Sequence, residues 1–319
     1  MPRLLITCSL YFWVSAGVYA QLAGYRVFFG MTNQKPQQVI LRQWHQNNRS
    51  IYLALNPQTL ETTVENIPAN QVQIMAWSDI MRHVNQTPYG RALQVEQQRD
   101  THLQDAGIER TDTTERGFSL TIDLCPSSKP LIRSVFEDLI KAFEPEEKPI
   151  PITITITGLW MQNHAQDLAY LKSLVKRGDL AITWVNHSFH HRYNPQLSLP
   201  INFMLEAGTN LNDEVLLNEQ AMLQRGLTPS IFFRFPGLVS DKGVFDRILA
   251  FGLLPIGSDA WLAKNQQPKQ GSLVLIHANG NEPLGISDFI SLIQKKSQFI
   301  RNKTWLLYDL PTSVTKEKD

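Results

Sequence analysis

From Phe118 onwards the chain alternates between two textures. Phe118-Ser-Leu-Thr-Ile-Asp-Leu124 and Ile152-Thr-Ile-Thr-Ile156 are apolar and β-branched, which predicts short buried strands. Residues 180–185, 230–234, 253–256, 272–276 and 304–310 read the same way. Between them, apolar residues recur at helical spacing over 130–143, 165–177, 212–225, 242–251 and 286–299. Gly178, Gly226 and Gly252 stop three of these helices. Strands alternating with helices predict parallel β/α units, and about seven of them favour a complete or distorted barrel over an open sheet. Residues 21–116 have another pattern: they are rich in Gln, Asn and Thr, with short apolar patches. Residues 25–30 and 50–55 predict strands, 72–84 a helix, and 97–117 a linker or solvated helix.

Polar residues fall where the predicted strands end. Asp123 closes the first, His187 lies just past the third, Arg234 ends the next, Asp259 follows another, and His277 follows Val274-Leu-Ile276. In a parallel barrel such ends meet on one face, where active sites form. One aspartate at a strand end is usually a cap; five polar groups at successive ends predict a shared pocket.

Asn186-His-Ser-Phe-His-His191 is the densest chemistry in the chain. His187, His190 and His191 are spaced i, i+3, i+4, so one helical turn would align all three. Neutral imidazole suits zinc. The plainer reading is a polar loop whose histidines cap backbone groups. His45, His83 and His102 are isolated and read as surface or satisfied histidines. His164 reads as the N-terminal residue of a helix. Trp160, Trp184 and Trp261 suit either a sugar groove or the core.

Five motifs in order resemble the polysaccharide deacetylase family, the NodB-like carbohydrate esterases of family 4, over roughly residues 117–312. They are Thr121-Ile-Asp-Leu-Cys-Pro126, Asn186-His-Ser-Phe-His-His191, Arg234-Phe-Pro-Gly237, Ser258-Asp-Ala-Trp261 and Gly271-Ser-Leu-Val-Leu-Ile-His277. Thr155-Ile-Thr-Gly-Leu-Trp160 is similar to that family's second strand and turn. The resemblance implies a distorted (β/α) barrel at 117–319, with 21–116 as a small N-terminal accessory region. It implies removal of N-acetyl groups from an amino-sugar glycan with the help of a divalent metal: zinc, or else cobalt or nickel. Asp123 would be the general base, Arg234 its partner, His277 the general acid, Asp259 the residue orienting His277, and His187 and His191 metal ligands.

One departure weighs on this reading. The family's first motif has a second aspartate that binds metal, and here that position is Leu124. Catalytic zinc usually has three protein ligands. His190 could supply the third, Asp123 or water could complete the shell, or the site could hold no working metal. In the last case the chain is a glycan-binding or assembly protein. A third alternative is a hydrolase of another amide or ester on the same fold. Cys125 also suits zinc, but alternation points it away from the side Leu124 uses, which favours a structural buried thiol.

Composition narrows the setting. The chain has 319 residues, 43% hydrophobic, with a net charge of +1, so it can bury a full core and offers no electrostatic footprint for nucleic acid. Residues 1–20 predict a signal peptide: Arg3, an apolar run from Leu4 to Val14, and Val18-Tyr-Ala20 as a cleavage site. An uncleaved anchor is the alternative. Cleavage leaves Cys125 as the one cysteine, which fits a bacterial periplasm or exterior without disulfides. The sequons at Asn48, Asn85, Asn186 and Asn302 read as accidental.

Overall fold

The computed structural model describes residues 22–33, 36–111, 116–143 and 147–315. The predicted signal peptide at 1–20 lies outside them. Among the described residues no helix is long and apolar enough to cross a membrane.

The chain opens with β1 (Ala23–Thr32), β2 (Val39–Gln46), β3 (Arg49–Leu55), β4 (Thr62–Glu65) and β5 (Val72–Ile74). They form an antiparallel sheet in the order β4-β3-β2-β1-β5. Helices α1 (Trp77–Val84) and α2 (Pro88–Gln98) follow. The helix predicted over 72–84 is therefore a short strand and then a helix. Val72, Gln73 and Ile74 pair with the end of β1 instead. Sheet pairing outweighs helical propensity here.

The second half is α/β: β6 (Gly117–Leu124), α3 (Ser134–Phe143), β7 (Ile150–Ile156), α4 (Gly158–Asn163), α5 (Ala165–Lys176), β8 (Leu180–Asn186), α6 (Leu211–Gln224), β9 (Phe232–Phe233), α7 (Lys242–Ala250), β10 (Leu254–Pro255), β11 (Ala260–Trp261), β12 (Leu273–His277), α8 (Pro283–Arg301), β13 (Leu306–Leu307) and α9 (Leu310–Thr315). Seven strands form a parallel sheet in the order β10-β9-β8-β7-β6-β12-β11, and β13 pairs with the start of β6. It is the curled sheet of a distorted (β/α) barrel. The interior strand β6 is buried along its whole length, as expected of a strand covered on both faces.

The segment read as a linker has a different job. After α2, residues 103–111 run between β10 and the start of β12. The Ile108 N–H donates to the Pro255 carbonyl at 2.9 Å, and Gly257 N–H donates back to Ile108. Leu273 N–H donates to the Glu109 carbonyl at 2.9 Å, where β12 begins. Ala106 and Ile108 are buried. Gly257 lets this strap approach, because a Cβ there would lie 2.6 Å from the Asp105 carbonyl oxygen. The polar character of this stretch hid a backbone, over 103–111, that satisfies exposed strand edges, a role without side-chain periodicity.

One apolar cluster joins Val39, Leu41, Tyr89 and Leu93 to Phe232, Phe251 and Leu254. A buried ion pair crosses the same boundary. Arg42 donates from Nε and Nη2 to Glu219 of α6 at 2.7 and 2.9 Å, and from Nη1 to the Phe251 carbonyl at 2.7 Å. The Tyr25 hydroxyl donates to the same glutamate at 2.8 Å. A pair so desolvated adds little net stability but tolerates few geometries, so it sets how the antiparallel sheet sits against α6.

Candidate active site

A cleft of about 430 Å³ opens where β6, β8 and β12 end, and its walls include Asp123, Cys125, His187, His191 and His277. Parallel register explains the meeting of the strand-end residues. Asp123 pairs with Thr155 on one side and His277 on the other.

Asp123 is the most heavily bonded of these residues. Its Oδ1 accepts from Arg234 Nη1 at 2.9 Å and from the Thr155 hydroxyl. Its Oδ2 lies 3.6 Å from His187 Nε2. Arg234 is fully buried and also donates to Thr121 Oγ1 and to the Gly257 carbonyl, both at 2.7 Å. Burial pushes the Asp123 carboxyl up, but Arg234, with His187 and His277, outweighs it and holds the group at about 2.

The histidine loop is not a helical turn. Asn186 Oδ1 accepts from the Ser188 N–H at 3.0 Å and from Asn218 Nδ2 at 2.7 Å. Ser188 and His191 have positive φ values of 68° and 49°, which a right-handed helix does not contain. This bend turns His187 and His191 together, with ring centroids 4.8 Å apart. His190 diverges. Its backbone N–H and its Nδ1 both engage Glu214, at 2.9 and 2.8 Å. His190 lines the cleft, but among the described residues it stands outside the groups of potential metal donors.

His187 Nδ1 lies 2.9 Å from the Arg234 carbonyl. A carbonyl only accepts, so Nδ1 carries the hydrogen and Nε2 presents its lone pair to the cleft. Cys125 Sγ is 3.5 Å from that nitrogen. Leu124 points the other way, fully buried in the apolar cluster that contains Ile156, Trp160 and Met161. Asp123 and Cys125 thus share one side of the chain, as alternation requires. The thiol is buried, as the sequence suggested, and points away from Leu124; in the structure that direction takes it to the cleft beside Asp123. Burial pushes the Cys125 thiol up, and His191, His277 and His187 bring it well below its ordinary value.

His277 does not use Asp259. Asp259 accepts from Arg110 Nε at 2.8 Å, an arginine carried by the closing strap, and it does not line the cleft. Glu282 stands beside His277 instead. Its Oε2 lies 2.8 Å from His277 Nδ1 in an ion-pair contact and accepts from Trp261 Nε1 at 2.7 Å. Burial pushes the His277 imidazolium down, while Cys125, Glu282 and Asp123 raise it well above an ordinary histidine. Glu282 follows in the loop after β12, five positions on, and no sequence spacing singled it out.

The rim is aromatic. Tyr193 is 61% exposed and stacks on Phe203, with centroids 5.2 Å apart and planes at 24°. Phe203 and Leu238 have positive φ, as does Gly237, where a Cβ would meet the Phe203 ring at 2.4 Å. Sparsely populated backbone states gathered at one cleft are typical of functional sites. Trp160 and Trp184 belong to the core; Trp261 lines the cleft. His164 bonds Asp167 and the Ser127 carbonyl at the start of α5.

No protein-family model matches this chain. Its structure is similar to that of a family 4 carbohydrate esterase from Bacillus anthracis, with 18% identity, 72% of this chain and 92% of that one covered, and a TM-score of 0.48. It is similar to PdaA of Bacillus subtilis, a family 4 carbohydrate esterase, with 16% identity, coverage of 64% and 82%, and a TM-score of 0.46. It is also similar to BA3943 of Bacillus anthracis, a family 4 pseudoenzyme, with 16% identity, coverage of 69% and 73%, and a TM-score of 0.45.

Proposed function

We propose that this protein hydrolyses N-acetyl groups on an amino-sugar oligomer or polymer, with a divalent metal in the cleft. The observation that carries the reading is the meeting of an arginine-held carboxylate, a glutamate-held histidine and a cluster of metal-type donors in one cleft. The five motifs that resemble polysaccharide deacetylases supply the substrate class, and the exposed Tyr193–Phe203 stack suits a sugar face.

The donors fit a metal. A ring nitrogen each of His187 and His191 and Cys125 Sγ all lie within 4.8 Å of one another. The buried His191 Nε2 has no hydrogen-bond partner, a state that buried polar atoms rarely keep. His187 and His191 would hold the ion, which supplies Lewis acidity at the acyl oxygen and the attacking water.

The chain's own groups divide the proton work. Asp123 is ionised at neutral pH, the first requirement of an acceptor, and it takes the proton that water loses as the new C–O bond forms. His277 is protonated, with Nδ1 held by Glu282. Its other ring nitrogen gives a proton to the departing amine as the C–N bond breaks. Opposite charges on the two residues suit opposite roles. Acetate and a free amino sugar result.

The direct test is acetate release from acetylated amino-sugar oligomers by metal-loaded protein. His277→Ala is expected to lower kcat by about 10²- to 10⁴-fold with its metal content unchanged. Equal loss of both would make His277 a ligand instead. Absence of acetate release with unimpaired glycan binding would favour a non-catalytic glycan-binding protein. Tyr193→Ala removes the exposed ring without touching the proton-transfer groups. It is expected to raise KM several-fold, in line with an aromatic contact worth about 0.5–1.5 kcal/mol, and to leave kcat near wild type. Steady-state kinetics on the same oligomers would separate the two constants.

A further inference from the structure

We propose that Cys125 is the third protein ligand of the metal, making the centre a two-histidine, one-thiolate site. This rests on the reading that the cleft holds a divalent ion, and it goes further by naming the donor that replaces the carboxylate Leu124 cannot offer.

Distance supports it. Zinc–sulfur bonds of about 2.3 Å and zinc–nitrogen bonds of about 2.0–2.1 Å at a tetrahedral angle put S and N about 3.5–3.6 Å apart. Cys125 Sγ and His187 Nε2 are 3.5 Å apart. Direction supports it too, since the His187 Nδ1–H is committed to the Arg234 carbonyl and its lone pair faces the sulfur. The unpartnered, buried His191 Nε2 is an independent sign that a group belongs there. The loop is held as well: Asn279 Nδ2 donates to the Cys125 carbonyl at 2.9 Å, fixing the residue at the end of β6. All three ligands line the cleft, so a fourth position faces the substrate side, as a catalytic rather than structural zinc site requires.

A thiolate changes what the site accepts. Soft sulfur with two imidazoles favours zinc or cobalt over magnesium or calcium. It also makes the centre sensitive to oxidants that a carboxylate ligand would survive.

The experiment is a cobalt(II) titration of metal-free full-length protein, followed by absorption spectroscopy. The expected result is one equivalent bound, with a sulfur-to-cobalt charge-transfer band in the near ultraviolet. Cys125→Ser should lose that band and bind cobalt at least 10-fold more weakly. Cys125→Asp should restore binding without the band. Thermal melts would establish that both variants fold, and the wild-type spectrum needs no variant at all. Tight cobalt binding without the band overturns the cysteine ligand and leaves the metal reading standing. Failure of the wild type to bind cobalt overturns both.

Discussion

Leu124→Asp is expected to lower stability by about 3–5 kcal/mol and to leave metal uptake no higher than in wild type. Sequence comparison alone suggests the opposite, since aspartate there would restore the motif that the family uses. The fold argues otherwise. Leu124 is fully buried, in a cluster with Ile156, Trp160 and Met161, and its carbonyl accepts from the Thr157 hydroxyl at 3.1 Å. An aspartate would lose those apolar contacts and bring a carboxyl without a partner among the cluster's side chains. A core substitution of this kind belongs to the severe class. Thermal melts and metal content of the purified variant would check it. An unchanged melting temperature with tighter metal binding would mean that residue 124 can turn into the cleft, displacing Cys125.

Arg234→Met is expected to cost about 3–5 kcal/mol, the penalty for leaving one member of a buried ion pair behind, and to abolish most activity. In the wild type the Asp123 carboxyl is lowered from 3.8 to about 2. A group depressed on folding stabilises the native state above its unfolded value, and that contribution fades as pH falls from about 4 towards 2. Without Arg234, burial dominates, with His187, His277 and the Thr155 hydrogen bond left to oppose it, and the carboxyl moves up. The wild type should therefore lose stability steeply below about pH 4, while the variant starts lower and loses less over the same range. The acid limb of the pH–rate profile should move to higher pH in whatever activity survives. Melts between pH 2 and 7 would test the first statement. A variant whose acid sensitivity matches the wild type would show that Arg234 does not set the state of Asp123.

The sequence by itself determined the barrel and most of the polar residues that meet at its cleft. Strands that are buried on both faces read as apolar, β-branched runs whether or not the rest of the chain is known, and the polar residue ending each run marks the face where the cleft opens. Asp123, His187, Arg234 and His277 were legible for that reason. Tertiary structure decided how those residues are partnered. Asp259 was expected just past a strand like the others, yet it lies immediately before β11 and is taken by Arg110 from a strap about 150 positions earlier in the chain. Glu282 reaches His277 because Trp261 holds it there. His190 stands apart from the clustered donors because the loop bends through left-handed residues at Ser188 and His191, and no spacing rule anticipates that bend. Local pattern dictates which way a strand residue faces, but the neighbour it meets comes from a distant segment, and only packing of the whole chain selects it.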